Sequence, residues 1–316
     1  MPAPSSLTTT VEGLLRLAGS AGDLREICPV LALSDDADAR ADGSPIGPAS
    51  FMTDDANESL ARDGLAVLVG TGARETCANL VRAIDALHDS ALPAVFVYAF
   101  DEPWALGEHA RACVTGRLAR DYVLVEDVWA WRVARGSDGW PPHRGIEDVV
   151  LDRDAPEILN VWIALSDAAT DRACMHIIPL GDDPGYPARL RSVDARPEAV
   201  RAVPARAGDA LFWNANVLHW GGRCEADAVG PRVSCSFTLC RKDAFRRFPH
   251  LIPLDLTATL DLRARTDLIA HMVVLYGGAD RGDVSPVLRE WAALTHELAS
   301  RFGRTAGPSV SLRKAP

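Results

Sequence analysis

The chain has little that would send it out of the cell, into a membrane or onto a nucleic acid. Its seven cysteines (Cys28, Cys77, Cys113, Cys174, Cys224, Cys235 and Cys240) are odd in number, scattered and without a C-x-x-C pair. That argues against a disulfide framework and a zinc ribbon, and leaves free thiols in a reducing compartment. No apolar run approaches the ~20 residues that cross a bilayer. Residues 1–10 carry no basic segment followed by an apolar one, so no signal peptide is expected. Excess positive charge is also missing. The formal net charge is −10, which argues against a nucleic-acid polymer as partner, since such binding depends on neutralising phosphates. The expectation is a soluble cytoplasmic protein with no membrane partner.

What is present is an ordinary globular composition, 48% hydrophobic over 316 residues, enough for a sizeable core. No internal repeat is found. A Thr cap and Val11, Leu14, Leu15 and Leu17 predict a helix over residues 8–19. Residues 34–50, rich in Asp, Ala, Gly, Pro and Ser, read as a loop or linker. A helix over 56–64 ends at Gly64 and a strand follows over 65–69. Residues 74–88 form a helix with Cys77, Leu80, Val81, Ile84 and Leu87 on one face. Residues 94–100 are a β-rich run, and 102–116 are helical.

From Tyr122 the texture changes to short runs rich in Val, Ile, Phe and Trp: 122–133, 158–165, 175–178, 210–213 and 233–239, punctuated by turns. These suggest a sandwich or barrel. Helical patterns return over 260–275 and 287–302, before a polar, basic tail. The organisation is a helical and loop extension over 1–52, a β domain over 53–250 and a helical segment over 251–316.

Two histidines stand out. His143 lies in Gly-Trp-Pro-Pro-His-Arg-Gly (139–145), and His219 in Asn-Val-Leu-His-Trp-Gly-Gly (216–222), with Arg232 shortly after it. A His, a distant second His and an Arg make the layout of a non-haem iron site with a 2-oxoglutarate anchor. Such sites add a carboxylate two residues after the first His. Here that position is Gly145, which supplies no ligand and leaves a coordination position open.

The neighbouring words are Trp-Ile-Ala-Leu-Ser-Asp-Ala (162–168), Ala-Cys-Met-His-Ile-Ile-Pro (173–179) and Gly-Asp (208–209) ahead of His219 and Arg-Val-Ser (232–234). In order and spacing they resemble the phytanoyl-CoA dioxygenase-like branch of the Fe(II)/2-oxoglutarate oxygenases, over about residues 55–245. The resemblance implies an α+β fold: a double-stranded β-helix (jelly-roll or cupin-like) core flanked by N- and C-terminal helices. It implies Fe(II), 2-oxoglutarate and O2 as cofactors, with His143 and His219 as iron ligands. Arg232 becomes the partner of the 2-oxoglutarate carboxylate, its fork suited to a bidentate grip. Ser234 adds a hydroxyl on the same strand face, and Asn160 and Trp162 line the cofactor pocket. His176 matches a non-ligating His of the family.

Iron halogenases of this superfamily carry Gly or Ala at the missing-carboxylate position, and chloride occupies the vacated site. The expectation is therefore a halogenase that chlorinates an unactivated C–H bond of a small molecule by radical rebound of iron-bound chloride, with Gly145 at the halide site. Two alternatives keep the iron: a hydroxylase working with two His ligands, and a site completed by Glu147 or Asp148. A third, from another class, is a non-catalytic β-sandwich ligand-binding module. For the substrate, the basic run Arg241, Lys242, Arg246 and Arg247 suggests a phosphate or carboxylate. A nucleotide is preferred to an amino acid, with Trp104, Trp129, Trp131, Trp140, Trp213 and Trp220 available either to stack on a base or to fill the core.

Overall fold

A computed structural model describes residues 8–34, 50–51, 56–70, 74–194, 196–254, 260–276 and 284–301. The tail beyond 301 and most of the 34–50 stretch lie outside the described residues.

The chain enters through two short helices, α1 (Val11–Ala18) and α2 (Ala21–Ile27). Thr10 caps the first, its hydroxyl accepting from the Gly13 N–H at 3.1 Å, and Ser20 caps the second through the Asp23 N–H at 3.1 Å. Each cap satisfies one orphan amide donor, worth about 1 kcal/mol. The second helix is absent from the sequence expectation, although Ser20 followed by Asp23 is its signal. Strand β1 (Ser50–Phe51), helix α3 (Ala56–Asp63), strand β2 (Leu65–Val69) and helix α4 (Arg74–Asp89) follow.

Residues 94–100 depart from expectation. Ala94–Ala99 is a 3-10 turn, not a strand. A continuous apolar run does not distinguish a strand from a buried turn. Here Val95 to Phe100 are all buried, and the Tyr98 hydroxyl donates to the Ser236 carbonyl at 2.7 Å. The run is a plug beneath a sheet rather than a member of one. Helix α5 (Asp101–Leu118) then leads into the β core.

That core holds β3 (Tyr122–Val133), β4 (Ile158–Ala164), β5 (Met175–Ile178), β6 (Arg201–Val203), β7 (Ala210–Asn214), β8 (Leu218–Gly221) and β9 (Arg232–Arg241). All pairings are antiparallel, in a six-stranded sheet ordered β1-β2-β7-β4-β9-β3 and a three-stranded sheet ordered β6-β5-β8. The large sheet is buried on both faces. Leu159, Val161, Ile163, Phe212, Val233, Cys235, Phe237 and Leu239 pack against the helices. Trp162, Leu211 and Trp213 pack against Cys174, Met175, Ile177 and Val217 beside the small sheet. Alternation along β9 holds from Arg232 to Leu239: Val233, Cys235, Phe237 and Leu239 face the helices, and Arg232, Ser234, Ser236 and Thr238 face the other way.

Helices α6 (Leu262–Tyr276) and α7 (Pro286–Arg301) close the helical side. The apolar cluster against the helices runs from Leu14 to Ala292, so entry, β core and exit share it. Buried Arg265 fastens α6 by donating to the Ala99 carbonyl at 2.8 Å and pairing with Asp101 at the start of α5. Among the described residues no helix is long and apolar enough to cross a membrane. All seven cysteines are free thiols, buried except for half-buried Cys113.

Candidate metal centre

The small sheet delivers the first histidine and recruits the second. His219 lies on β8, and the Pro141-Pro142 segment brings His143 alongside it in an antiparallel bridge. Each backbone N–H donates to the other residue's carbonyl, at 3.0 and 2.9 Å. Residues that exchange both bonds stand directly opposite, with side chains on one face. The two imidazole centroids are accordingly 4.1 Å apart.

The outer ring nitrogens fix the tautomers. Nδ1 of His143 lies 2.8 Å from the Pro141 carbonyl, and Nδ1 of His219 lies 2.9 Å from the Val217 carbonyl. A carbonyl only accepts, so each Nδ1 carries the proton and the lone pair falls on Nε2. Burial first, then the neighbouring His143 and Arg144, hold His219 well below the usual imidazole value. It is therefore neutral at physiological pH, as a metal ligand must be.

Among the described residues no acid completes the pair. At position 145 a side chain would begin 2.5 Å from Nδ2 and 2.9 Å from Oδ1 of Asn160, so the Asn160 amide occupies the space that a carboxylate stem would use. Glu147 points away and pairs with Arg191 at 3.0 Å, 62% exposed. Asp148 is exposed, and its backbone carbonyl accepts from Asn216 Nδ2 at 2.8 Å. Among the described residues no three His, Cys, Asp or Glu side chains gather at one point. The expectation that Glu147 or Asp148 fills the gap is not met.

The cavity before the histidines holds about 180 Å³. Arg232 lies on its wall, 1% exposed. Its Nε donates to the Ala173 carbonyl at 3.1 Å and its Nη1 to Ser234 Oγ at 2.6 Å, while the Trp162 ring lies 5.5 Å beneath the guanidinium. Among the described residues no carboxylate pairs with it. Burial lowers its pKa to about 10, so it remains a cation at neutral pH. An uncompensated buried charge is expensive, and an anionic ligand resolves it. Gly221 keeps the approach open, because a Cβ there would sit 3.0 Å from Nη2. The indole N–H groups of Trp131 and Trp213, also on the cavity wall, are buried without an acceptor. A buried cation, two idle donors and two imidazoles with Nδ1 held by carbonyls suit a metal with an anionic chelating ligand, so the residues present fit iron and 2-oxoglutarate.

The expected site residues therefore separate. His143, Gly145, Asn160, Trp162, His219 and Arg232 line one cavity. Ser234 stands behind Arg232 as its acceptor and steadies it. Trp129, Trp131, Trp140 and Trp213 also face the cavity, whereas Trp104 donates to the Tyr98 carbonyl at 2.9 Å and Trp220 stacks on His176 at 5.6 Å.

Arg241 and Lys242 are not brought to the cavity. They line a different groove, where Arg241 pairs with Asp152 and Asp243 and Lys242 with Asp121, and Arg246 is exposed. β9 has ten residues, so its two end arginines stand roughly 30 Å apart. The sequence reading also missed Arg144, which is buried in an ion pair with Asp183 at 2.5 Å and donates to the carbonyls of Leu190, Ser192 and Asn216. It ties the His143–Gly145 segment to the 183–192 loop, and its place next to His143 was the available signal. Asp127, Thr238 and Tyr276 were missed as well.

Among solved structures, the chain is similar to AviO1 from Streptomyces viridochromogenes Tue57, at 18% identity and a TM-score of 0.48, covering 62% of this chain and 97% of that one. HygX from Streptomyces hygroscopicus, solved with nickel and 2-oxoglutarate bound, aligns at 16% identity and a TM-score of 0.45, over 60% and 87% of the two chains. The non-heme alpha ketoglutarate dependent epimerase SnoN from nogalamycin biosynthesis aligns at 19% identity and 0.41, over 67% and 90%. No curated protein matches. One family model does match, that of the phytanoyl-CoA dioxygenase (PhyH) family, over residues 128–229, a stretch that contains both histidines, Gly145 and Asn160.

Proposed function

We propose that this chain is a non-haem Fe(II)/2-oxoglutarate-dependent oxidoreductase with a two-histidine metal site, built on a double-stranded β-helix and acting as a halogenase on a C–H bond of a small molecule. One observation carries the reading: two imidazoles with their lone pairs on Nε2 share a cavity with a buried, uncompensated guanidinium. The PhyH family match over residues 128–229, which takes in both histidines, supports it. Bound iron, with 2-oxoglutarate and O2, would supply the oxidising power for C–H cleavage that no side chain has.

The protein's part is to hold and orient. His143 and His219 ligate through Nε2, each steadied by its Nδ1–H bond to a backbone carbonyl. Arg232, supported by Ser234 and the Ala173 carbonyl, binds the far carboxylate of 2-oxoglutarate, while the indole donors of Trp131 and Trp213 are free to serve carboxylate oxygens. Gly145 withholds the usual −1 charge, and the Asn160 amide beside it can donate an N–H to an anion. A neutral, donor-lined corner next to a dication favours a halide, and this favours halogenation over hydroxylation.

The test is anaerobic equilibrium dialysis with Fe(II), followed by 2-oxoglutarate titration. The wild type is expected to hold one Fe(II) and then one 2-oxoglutarate. His143→Ala and His219→Ala are expected to hold no iron. Iron retained undiminished in either variant overturns the ligand assignment.

A further inference from the structure

The end of the cavity away from Arg232 has the opposite chemistry. A register shift between Leu124 and Val128 marks an irregularity in the β3–β9 pairing, of the kind that re-aims a side chain. Here it leaves Asp127 on the cavity wall. One carboxylate oxygen accepts from Thr238 Oγ1 at 2.7 Å and the other from the Tyr276 hydroxyl at 2.5 Å. Two neutral hydroxyls fix this carboxylate in direction without cancelling its charge. No Lys, Arg or His forms an ion pair with it among the described residues. His271 on α6 feels the Asp127 charge, which raises its pKa, but burial first and then the stacked His296, 4.9 Å away, lower it overall.

Aromatic rings surround the same place. Tyr276 lies 5.3 Å from Trp129 and 6.2 Å from Trp140, and Trp140 lies 6.2 Å from His143. Electron-rich faces beside a fixed carboxylate attract a cation, and they gain strength in a dehydrated cavity. The aromatic cluster reaches from Asp127 to the metal ligands, so a molecule held at the acid extends toward the histidines.

We propose that Asp127 is the substrate-recognition residue of this cavity, and that the substrate carries a protonated amine bound by its carboxylate among the rings of Trp129, Trp140 and Tyr276. The proposal rests on the iron and 2-oxoglutarate reading of the other end, and deepens it by naming the substrate class. It also replaces the phosphate-bearing substrate suggested by Arg241, Lys242 and Arg246, which lie in another groove.

The probe is a panel of primary amines, each paired with its N-acetyl twin, and AMP as an anionic control. The panel spans free amino acids, amino sugars and diamines. Each member is titrated anaerobically into protein loaded with Fe(II) and 2-oxoglutarate. Tryptophan fluorescence and thermal shift report binding, and succinate release in air reports turnover. The expected result is that at least one amine binds and stimulates succinate release while its acetylated twin binds about tenfold more weakly or worse. Asp127→Asn should lose that amine's affinity by about 10- to 100-fold while keeping wild-type Fe(II) and 2-oxoglutarate affinities.

Tyr276→Phe, which keeps the carboxylate, should still prefer the amine, and it stands in if Asp127→Asn does not fold. The proposal is overturned if no amine outbinds its twin, if AMP binds best, or if Asp127→Asn binds amines normally. Failure of the wild type to take up Fe(II) or 2-oxoglutarate would instead sink the iron reading, and the dialysis separates the two.

Discussion

Restoring the missing carboxylate is the perturbation whose cost can be worked from the structure. A Cβ at position 145 would sit 2.5 Å from Asn160 Nδ2 and 3.1 Å from its Cγ, well inside van der Waals contact. Gly145 does not have a positive φ, so backbone strain adds nothing and the clash is the whole penalty. The Asn160 amide must swing aside. Overpacking of this kind costs about 1–3 kcal/mol, or a melting drop of roughly 2–6 °C for a chain of this size.

Metal-free Gly145→Asp should therefore melt lower than wild type. Asn160→Ala removes the obstacle, so Gly145→Asp in that background should cost at least about 1 kcal/mol less, a coupling that a double-mutant cycle reads directly. Iron should narrow that gap. With a carboxylate added to two imidazoles, Fe(II) affinity should rise by at least about tenfold, adding about 1.4 kcal/mol of ligand-linked stability. Chloride dependence of any product should vanish in the same variant. The assays are differential scanning fluorimetry with and without Fe(II), and equilibrium dialysis. If metal-free Gly145→Asp melts with the wild type and Asn160→Ala makes no difference, the packing at this corner is wrong. If added Asp fails to tighten iron, the corner does not face the metal.

Two further predictions concern the cavity's charges. Arg232→Ala removes the buried cation on the cavity wall that no carboxylate pairs with among the described residues, and 2-oxoglutarate affinity should fall by about 2–4 kcal/mol, or roughly 30- to 1000-fold, with Fe(II) binding kept; unchanged affinity would move the anchor elsewhere. Because the folded state holds His219 below its unfolded pKa of 6.5, with His271 shifted the same way, the unfolded chain binds more protons on acidification. Stability of the metal-free protein should therefore be full above about pH 7 and fall below about pH 6.5, by up to about 1.4 kcal/mol per pH unit from His219 alone. Chemical denaturation at intervals between about pH 7.5 and 5.5 checks this, and a flat profile would contradict the buried neutral imidazole.

Much of this fold is legible where local signals are strong. Thr10, the 3.6-residue stripe of α4 and the alternation of β9 each encode one structure without tertiary help. The run at 94–100 does not, because uniform burial erases periodicity and leaves strand and turn equally compatible. The two histidines and Arg232 stood out because their spacing reflects strands that bring them to one cavity. Asp127 did not. Its aim depends on an irregular β3–β9 register, and its partners Thr238 and Tyr276 lie more than a hundred residues away. The basic run at 241–247 misled for a related reason. Adjacency in sequence to Arg232 looked like adjacency to the site, whereas a ten-residue strand separates its ends by the depth of the molecule.

In the proposed site two imidazoles hold iron at a corner that no carboxylate closes. The most direct measurement is anomalous diffraction from crystals grown with Fe(II), 2-oxoglutarate and bromide in place of chloride, under anaerobic conditions. The expected result is an iron peak bonded to Nε2 of His143 and His219 and a bromide peak on that iron beside Gly145 and the Asn160 amide. Iron elsewhere, or a protein carboxylate bonded at that corner, would contradict it.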